Sequence, residues 1–166
     1  MANPRRPSPP PLSLGLQVGP GLAACCPDGQ WPISRPRLRR LILASLDART
    51  TSAQITLRLV GQAEGRQLNR EFRAKDYATN ILTFDYSGPP DLAADLVICL
   101  PIVQKEARAQ RKTLEAHLLH LVVHGILHAC GLDHESDDEA DAMEALEARI
   151  LARFRIADPY GTLGAS

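Results

Sequence analysis

The sequence predicts a single α+β domain: a mixed β-sheet of about four strands packed by about five helices. Three observations predict it. Segments with a two-residue apolar period alternate along the chain with segments of helical period. Both kinds end at recognisable caps and breakers. The length of 166 residues, 45% of them hydrophobic, suits one domain with a full core.

Residues 1–11 are Pro-rich and are expected to form a disordered extension. Arg5 and Arg6 ahead of Leu12, Leu14, Leu16 and Val18 superficially imitate a secretory signal. The prolines at 7, 9, 10, 11 and 20 interrupt any helical apolar core, so a signal is not expected. The domain is placed at 12–158 and a C-terminal tail at 159–166. Residues 12–18 alternate and predict a short strand, followed by a Gly/Pro-rich loop over 19–33. Ser34 as N-cap and Pro36 in the first turn open a helix to about Leu46. Its apolar stripe is Leu38, Leu41, Ile42 and Leu46.

Ile55, Leu57 and Leu59 share one face of a strand over 53–60. A helix over 62–72 follows, with Leu68 and Phe72 expected to face inward. Residues 80–86 read as a strand, and the break at Gly88, Pro89 and Pro90 leads into another over 93–99, apolar enough to be central. Pro101 opens a helical region to about Cys130, with a break near Thr113 and a left-handed stop at Gly131. Ser136 and Glu139 form a capping-box pair for a last helix to about Phe154.

No apolar run approaches the roughly 20 residues of a membrane helix. Cys25, Cys26, Cys99 and Cys130 match neither a zinc ribbon nor a redox pair, which points to a reducing, cytoplasmic setting. The net charge of zero hides a split: residues 1–112 hold 16 Lys+Arg against 9 Asp+Glu, and the remainder 3 against 10. The basic part suits an anionic partner, or simply solvates helix faces.

All five histidines fall between 117 and 134. His124 and His128 are four residues apart on a helix, so their imidazoles leave one face a turn apart. Gly131 permits the reversal that brings His134 towards them. Three imidazoles suit Zn²⁺, one per chain, and leave its fourth position open for a water that ionises near neutral pH. This places a hydrolytic zinc site at the end of the central helix. His117 and His120 are expected to support or pack beside it. Asp133 either orients a ligand histidine or caps the last helix. The spacing matches that of metzincin proteases, but their general-base glutamate is replaced by Gly125, which disfavours peptide hydrolysis by that route.

The segment His124-Gly-Ile-Leu-His128-Ala-Cys-Gly131-Leu-Asp-His134 resembles the signature of the YbeY family, bacterial endoribonucleases and rRNA maturation factors. Leu68-Asn69 to Arg73, Asp76 to Tyr86 and Asp95 to Ile98 are also similar to family segments, with Ala94 in place of a glycine. Met143, Glu147 and Ile150-Leu151 fit its closing helix, and the likeness covers roughly residues 12–155. The resemblance implies zinc ligation by His124, His128 and His134, and a catalytic role for Arg73 beside His124. It implies cleavage of single-stranded RNA, 16S rRNA 3′-end maturation, ribosome quality control and the small ribosomal subunit as partner. Asn80 stands where the family commonly has aspartate, so that position is not expected to act as a base. Arg35, Arg37, Arg39, Arg40, Arg70, Arg73 and Lys75 are candidates for a phosphate-tracking groove. With 4% aromatic residues, base stacking is expected to be limited. A non-catalytic assembly factor with structural zinc, or a zinc hydrolase of another bond, remain alternatives.

Overall fold

A computed structural model describes residues 8–133 and 135–161. His134, most of the Pro-rich extension and the end of the tail lie outside the described residues. The sheet has four strands: β1 (Leu12–Val18), β2 (Ser52–Val60), β3 (Ile81–Ser87) and β4 (Asp91–Cys99). The helices are α1 (Arg35–Ser45), α2 (Gln62–Arg73), α3 (Leu100–Ala109), α4 (Leu114–Ala129) and α5 (Asp137–Ala152). The architecture is therefore the expected α+β domain with a mixed sheet.

Strand order is β1-β2-β4-β3. β1 and β4 both run parallel to β2, and the crossover that the β1–β2 pair needs is made through α1. β3 pairs antiparallel with β4 across the Gly88–Pro90 break. β4 is central and apolar on both faces. Leu92, Ala94, Leu96 and Ile98 join the main core, while Val97 and Cys99 join a smaller cluster with Val60 and Leu82. The main core lies between the sheet and α1, α4 and α5, and α2 covers part of the other face.

Local chemistry sets the helix ends. The Ser34, Thr113 and Ser136 hydroxyls each accept a backbone N–H three residues on, satisfying donors that a helix start leaves open. Thr113 therefore divides the long helical region, as expected from its sequence. Gly131 follows α4 with φ 98°, where a Cβ would be strained. α4 is apolar on nearly all sides and is buried along most of its length. No helix among the described residues is long and apolar enough to cross a membrane.

Gly125 packs directly against the side chains of the sheet. A Cβ at this position would meet Leu96 Cδ2 at 2.5 Å, Leu96 Cγ at 3.0 Å and Ile81 Cδ1 at 3.1 Å. The residue that breaks the metzincin pattern is thus a packing glycine facing β4, which lets the histidine-bearing helix lie flat on the sheet.

Candidate metal centre

α4 brings His124 and His128 to one side of a cleft of about 530 Å³. Its other walls come from the end of α2 (Phe72, Arg73) and from β3 (Ile81 to Phe84). His124 is half-buried and His128 exposed, so the helix is anchored on its apolar sides and offers these two rings to the opening. Two of the three expected ligands and Arg73 therefore share one cleft. Among the described residues no third ligand completes a metal cluster, His134 lying outside them.

The orientation of His124 is set from α5. Its Nδ1 lies 2.6 Å from Glu147 Oε1. A carboxylate oxygen only accepts, so Nδ1 carries the proton and Nε2 carries the lone pair that a metal requires. This carboxylate–imidazole pairing is the usual support of a metal-bound histidine. The donor set present thus fits a zinc ion.

Glu147 is fully buried. Its Oε2 accepts from Tyr160 Oη at 2.5 Å and His120 Nε2 at 2.9 Å, and His120 Nε2 lies 3.0 Å from the same hydroxyl. Burial alone would raise the Glu147 carboxyl. The hydrogen bonds from His120, His124 and Tyr160 outweigh it and bring its pKa down to about 2. Burial first, then the neighbouring Glu147 charge, pushes the Tyr160 hydroxyl well above the ordinary tyrosine range. The segment read from sequence as a tail therefore returns to the site at Tyr160.

Glu147 as the orienting carboxylate was not recognised in the sequence. The available signal is a glutamate on the same stripe as Met143, Ile150 and Leu151, all of them buried. Asp133 is not the cap of α5, since Ser136 holds that position. His117 and His120 do not line the Arg73 cleft. His117 Nε2 instead lies 2.8 Å from Glu106 Oε2, an oxygen that also accepts from Asn80 Nδ2 at 3.2 Å. Asn80 Oδ1 accepts from Ile81 N at 2.7 Å, so Asn80 ties α3 to the start of β3. These residues line a second cleft of about 410 Å³, which shares Ile81 and His124 with the first.

The arginines separate by task. Arg35 and Arg39 donate to the Leu14 and Leu12 carbonyls, and Arg37 pairs with Glu115. Arg35, Arg37 and Arg39 thus fasten structure, and none of the four α1 arginines, exposed Arg40 included, lines the cleft with Arg73, contrary to the expected groove. Arg66 and Arg70 engage Asp76. Arg73 is exposed, lines the cleft and has no ion-pair partner among the described residues. Phe72 does not face inward as its helical position predicts: it is 63% exposed.

With this geometry in place, similarity to known proteins decides the family. A family model for endoribonuclease YbeY matches residues 30–155. The chain belongs to the endoribonuclease YbeY family. A protein of Methylibium petroleiphilum named endoribonuclease YbeY is 50% identical over 156 residues, covering 94% of this chain and 99% of the relative. One of the same name from Verminephrobacter eiseniae is 51% identical over 150 residues, covering 90% and 94%. The YbeY relative from Aromatoleum aromaticum is 55% identical over 123 residues, covering 74% and 78%. The solution structure of a Thermotoga maritima protein matches with TM-score 0.57 and 23% identity, over 93% of this chain and 99% of that one. That last likeness shows a shared fold.

Proposed function

We propose that this member of the endoribonuclease YbeY family is a zinc-dependent endonuclease of single-stranded RNA, working in the cytoplasm on the small ribosomal subunit. Its tasks would be 16S rRNA 3′-end maturation and late ribosome quality control. One observation carries the chemical part of this reading: His124, His128 and Arg73, which has no ion-pair partner among the described residues, face one open cleft. His134 would complete the ligand set.

When bound, the zinc would supply a Lewis acid and an acidified water. The chain's own contribution is positioning and charge. Glu147 holds the His124 ring with Nε2 outward. Arg73 offers a fork of donors to the non-bridging oxygens of the phosphodiester and offsets the charge that grows there as the phosphorus is attacked. The place of Gly125 against Leu96 disfavours a metzincin-type peptidase, because no side chain at 125 reaches the cleft without displacing the sheet.

The test is cleavage of a single-stranded RNA spanning an rRNA 3′ precursor end, compared with the same RNA in a duplex. Chelation should stop the reaction and added Zn²⁺ restore it. Cleavage unaffected by chelation, or equal on the duplex, would overturn the reading. Arg73→Ala should lower kcat/KM by roughly 10²–10³-fold, the usual effect of removing one transition-state donor. Arg73→Lys should recover only part of it, because an ammonium lacks the fork. Full activity in Arg73→Ala would remove the arginine from the mechanism.

Glu147→Gln places an amide where the network needs an acceptor with two open oxygens. Zinc affinity should fall by about 10–100-fold, as is typical when the partner of a ligand histidine is lost. Competition with a chromophoric chelator reads this directly, and unchanged affinity would mean that Glu147 serves packing alone.

A further inference from the structure

Phe72 occupies the second-last position of α2, one residue before Arg73. Helical periodicity puts it on the stripe of Leu68, yet its ring stands at the lip of the cleft and is 63% exposed. It is not loose there. Its ring meets Phe84 of β3 edge-on, with centroids 5.1 Å apart and planes at 77°. Phe84 is half-buried against the smaller core cluster, so Phe72 is braced from below. The chain has three phenylalanines, and two of them make this pair. Among the described residues, the other exposed large apolar side chains, Tyr77, Tyr86, Leu132 and Tyr160, do not line this cleft.

A braced, exposed aromatic ring next to an exposed guanidinium, in a cleft shared with the two imidazoles, matches one nucleotide of a nucleic acid strand. The guanidinium takes the phosphate, and a π-face accepts any base without reading its edge. In a duplex both faces of a base are covered by its neighbours, so only an unpaired, unstacked base can lie on such a ring. We propose that Phe72, seated on Phe84, is the stacking platform for the nucleobase adjoining the phosphate held by Arg73, and that this contact selects single-stranded over paired RNA. The proposal rests on the RNA-cleaving reading above. It narrows the expectation of limited stacking to one place: of the chain's seven Phe, Tyr and Trp residues, Phe72 and Phe84 line this cleft.

The test is steady-state cleavage by the full chain carrying zinc, with Phe72→Ala, Phe72→Leu and Phe72→Tyr beside wild type. It is paired with the fluorescence of a single-stranded RNA bearing 2-aminopurine next to the scissile bond, which stacking quenches. Phe72→Ala and Phe72→Leu should both raise KM roughly tenfold, within the range of one base–aromatic stack, with kcat changed less than twofold. Both should lose the quenching and discriminate less against the duplex. Phe72→Tyr should behave as wild type. Leucine keeps apolar bulk without a π-face, so wild-type behaviour of Phe72→Leu in both measurements would overturn the platform while RNA cleavage stood. A wild-type chain that neither cuts nor quenches the RNA would overturn both readings together.

Discussion

Replacing His128 by alanine will abolish RNA cleavage and leave the domain folded. The two halves of this expectation come from different observations. His128 is exposed, on the cleft side of α4, whereas the core-facing positions of that helix are its leucines, valines and Ile126. Alanine is the best helix former, so the change removes no core packing and the melting temperature should move by only a few degrees. The chemical loss is another matter. Losing a residue that merely orients a ligand costs about 10–100-fold, so losing one of three direct ligands should cost at least ~10³-fold.

The measurement is cleavage of the rRNA precursor fragment by wild type and His128→Ala from one purification protocol, with circular dichroism melting alongside. Equal cleavage by both would mean that the activity is not housed in this cleft. An unfolded His128→Ala would point to a structural zinc and an assembly factor that acts by binding. Only loss of cleavage with retained melting satisfies the catalytic reading.

Gly125→Glu, which would rebuild the metzincin dipeptide, is expected to prevent folding and to create no peptidase. The first atom of any side chain at 125 already lies within 2.5 Å of Leu96, whose side chain is fully buried. Overpacking of this kind costs about 1–3 kcal/mol. A carboxylate pressed between α4 and β4 among Leu96 and Ile81 adds several kcal/mol more, because nothing there hydrogen-bonds to it. Together these approach the roughly 5–15 kcal/mol that holds a typical domain together. Loss of the cooperative thermal transition is the expected result. A folded Gly125→Glu protein with wild-type stability would show that α4 lifts from the sheet easily, and casein digestion by it would show that the glycine was the obstacle to proteolysis.

Much of the fold was legible because its signals are local. Period-two alternation placed β1, β2 and β4 within a residue or two of their ends, and the β4 run was apolar enough to read as central. The hydroxyls of Ser34, Thr113 and Ser136 marked helix starts because each one answers a donor three residues away. The pairing of His124 with His128 was legible for the same reason, since one helical turn separates them. The site's support was less so. Glu147 lies 23 positions from His124, and Tyr160 lies 40 from His120. No periodicity links such residues, and an acidic residue on a helix normally reads as a solvated face. The α1 arginines misled in the opposite sense: composition suggests a phosphate groove, but Arg35, Arg37 and Arg39 are spent on β1 carbonyls and on Glu115.

By itself the sequence determined which segments coil or extend, where they stop, and that two imidazoles and a left-handed glycine cluster at the end of one helix. Each of these depends on dihedral preferences and hydrogen bonds within a few residues. Only the tertiary structure decided the strand order, the buried Glu147 clamp, the inward-facing Gly125 and the outward Phe72. Those outcomes turn on which surfaces leave water together. α2 shows this most plainly: Leu68 and Phe72 share a stripe, but the sheet beneath extends far enough to cover the first and leaves the second at the cleft.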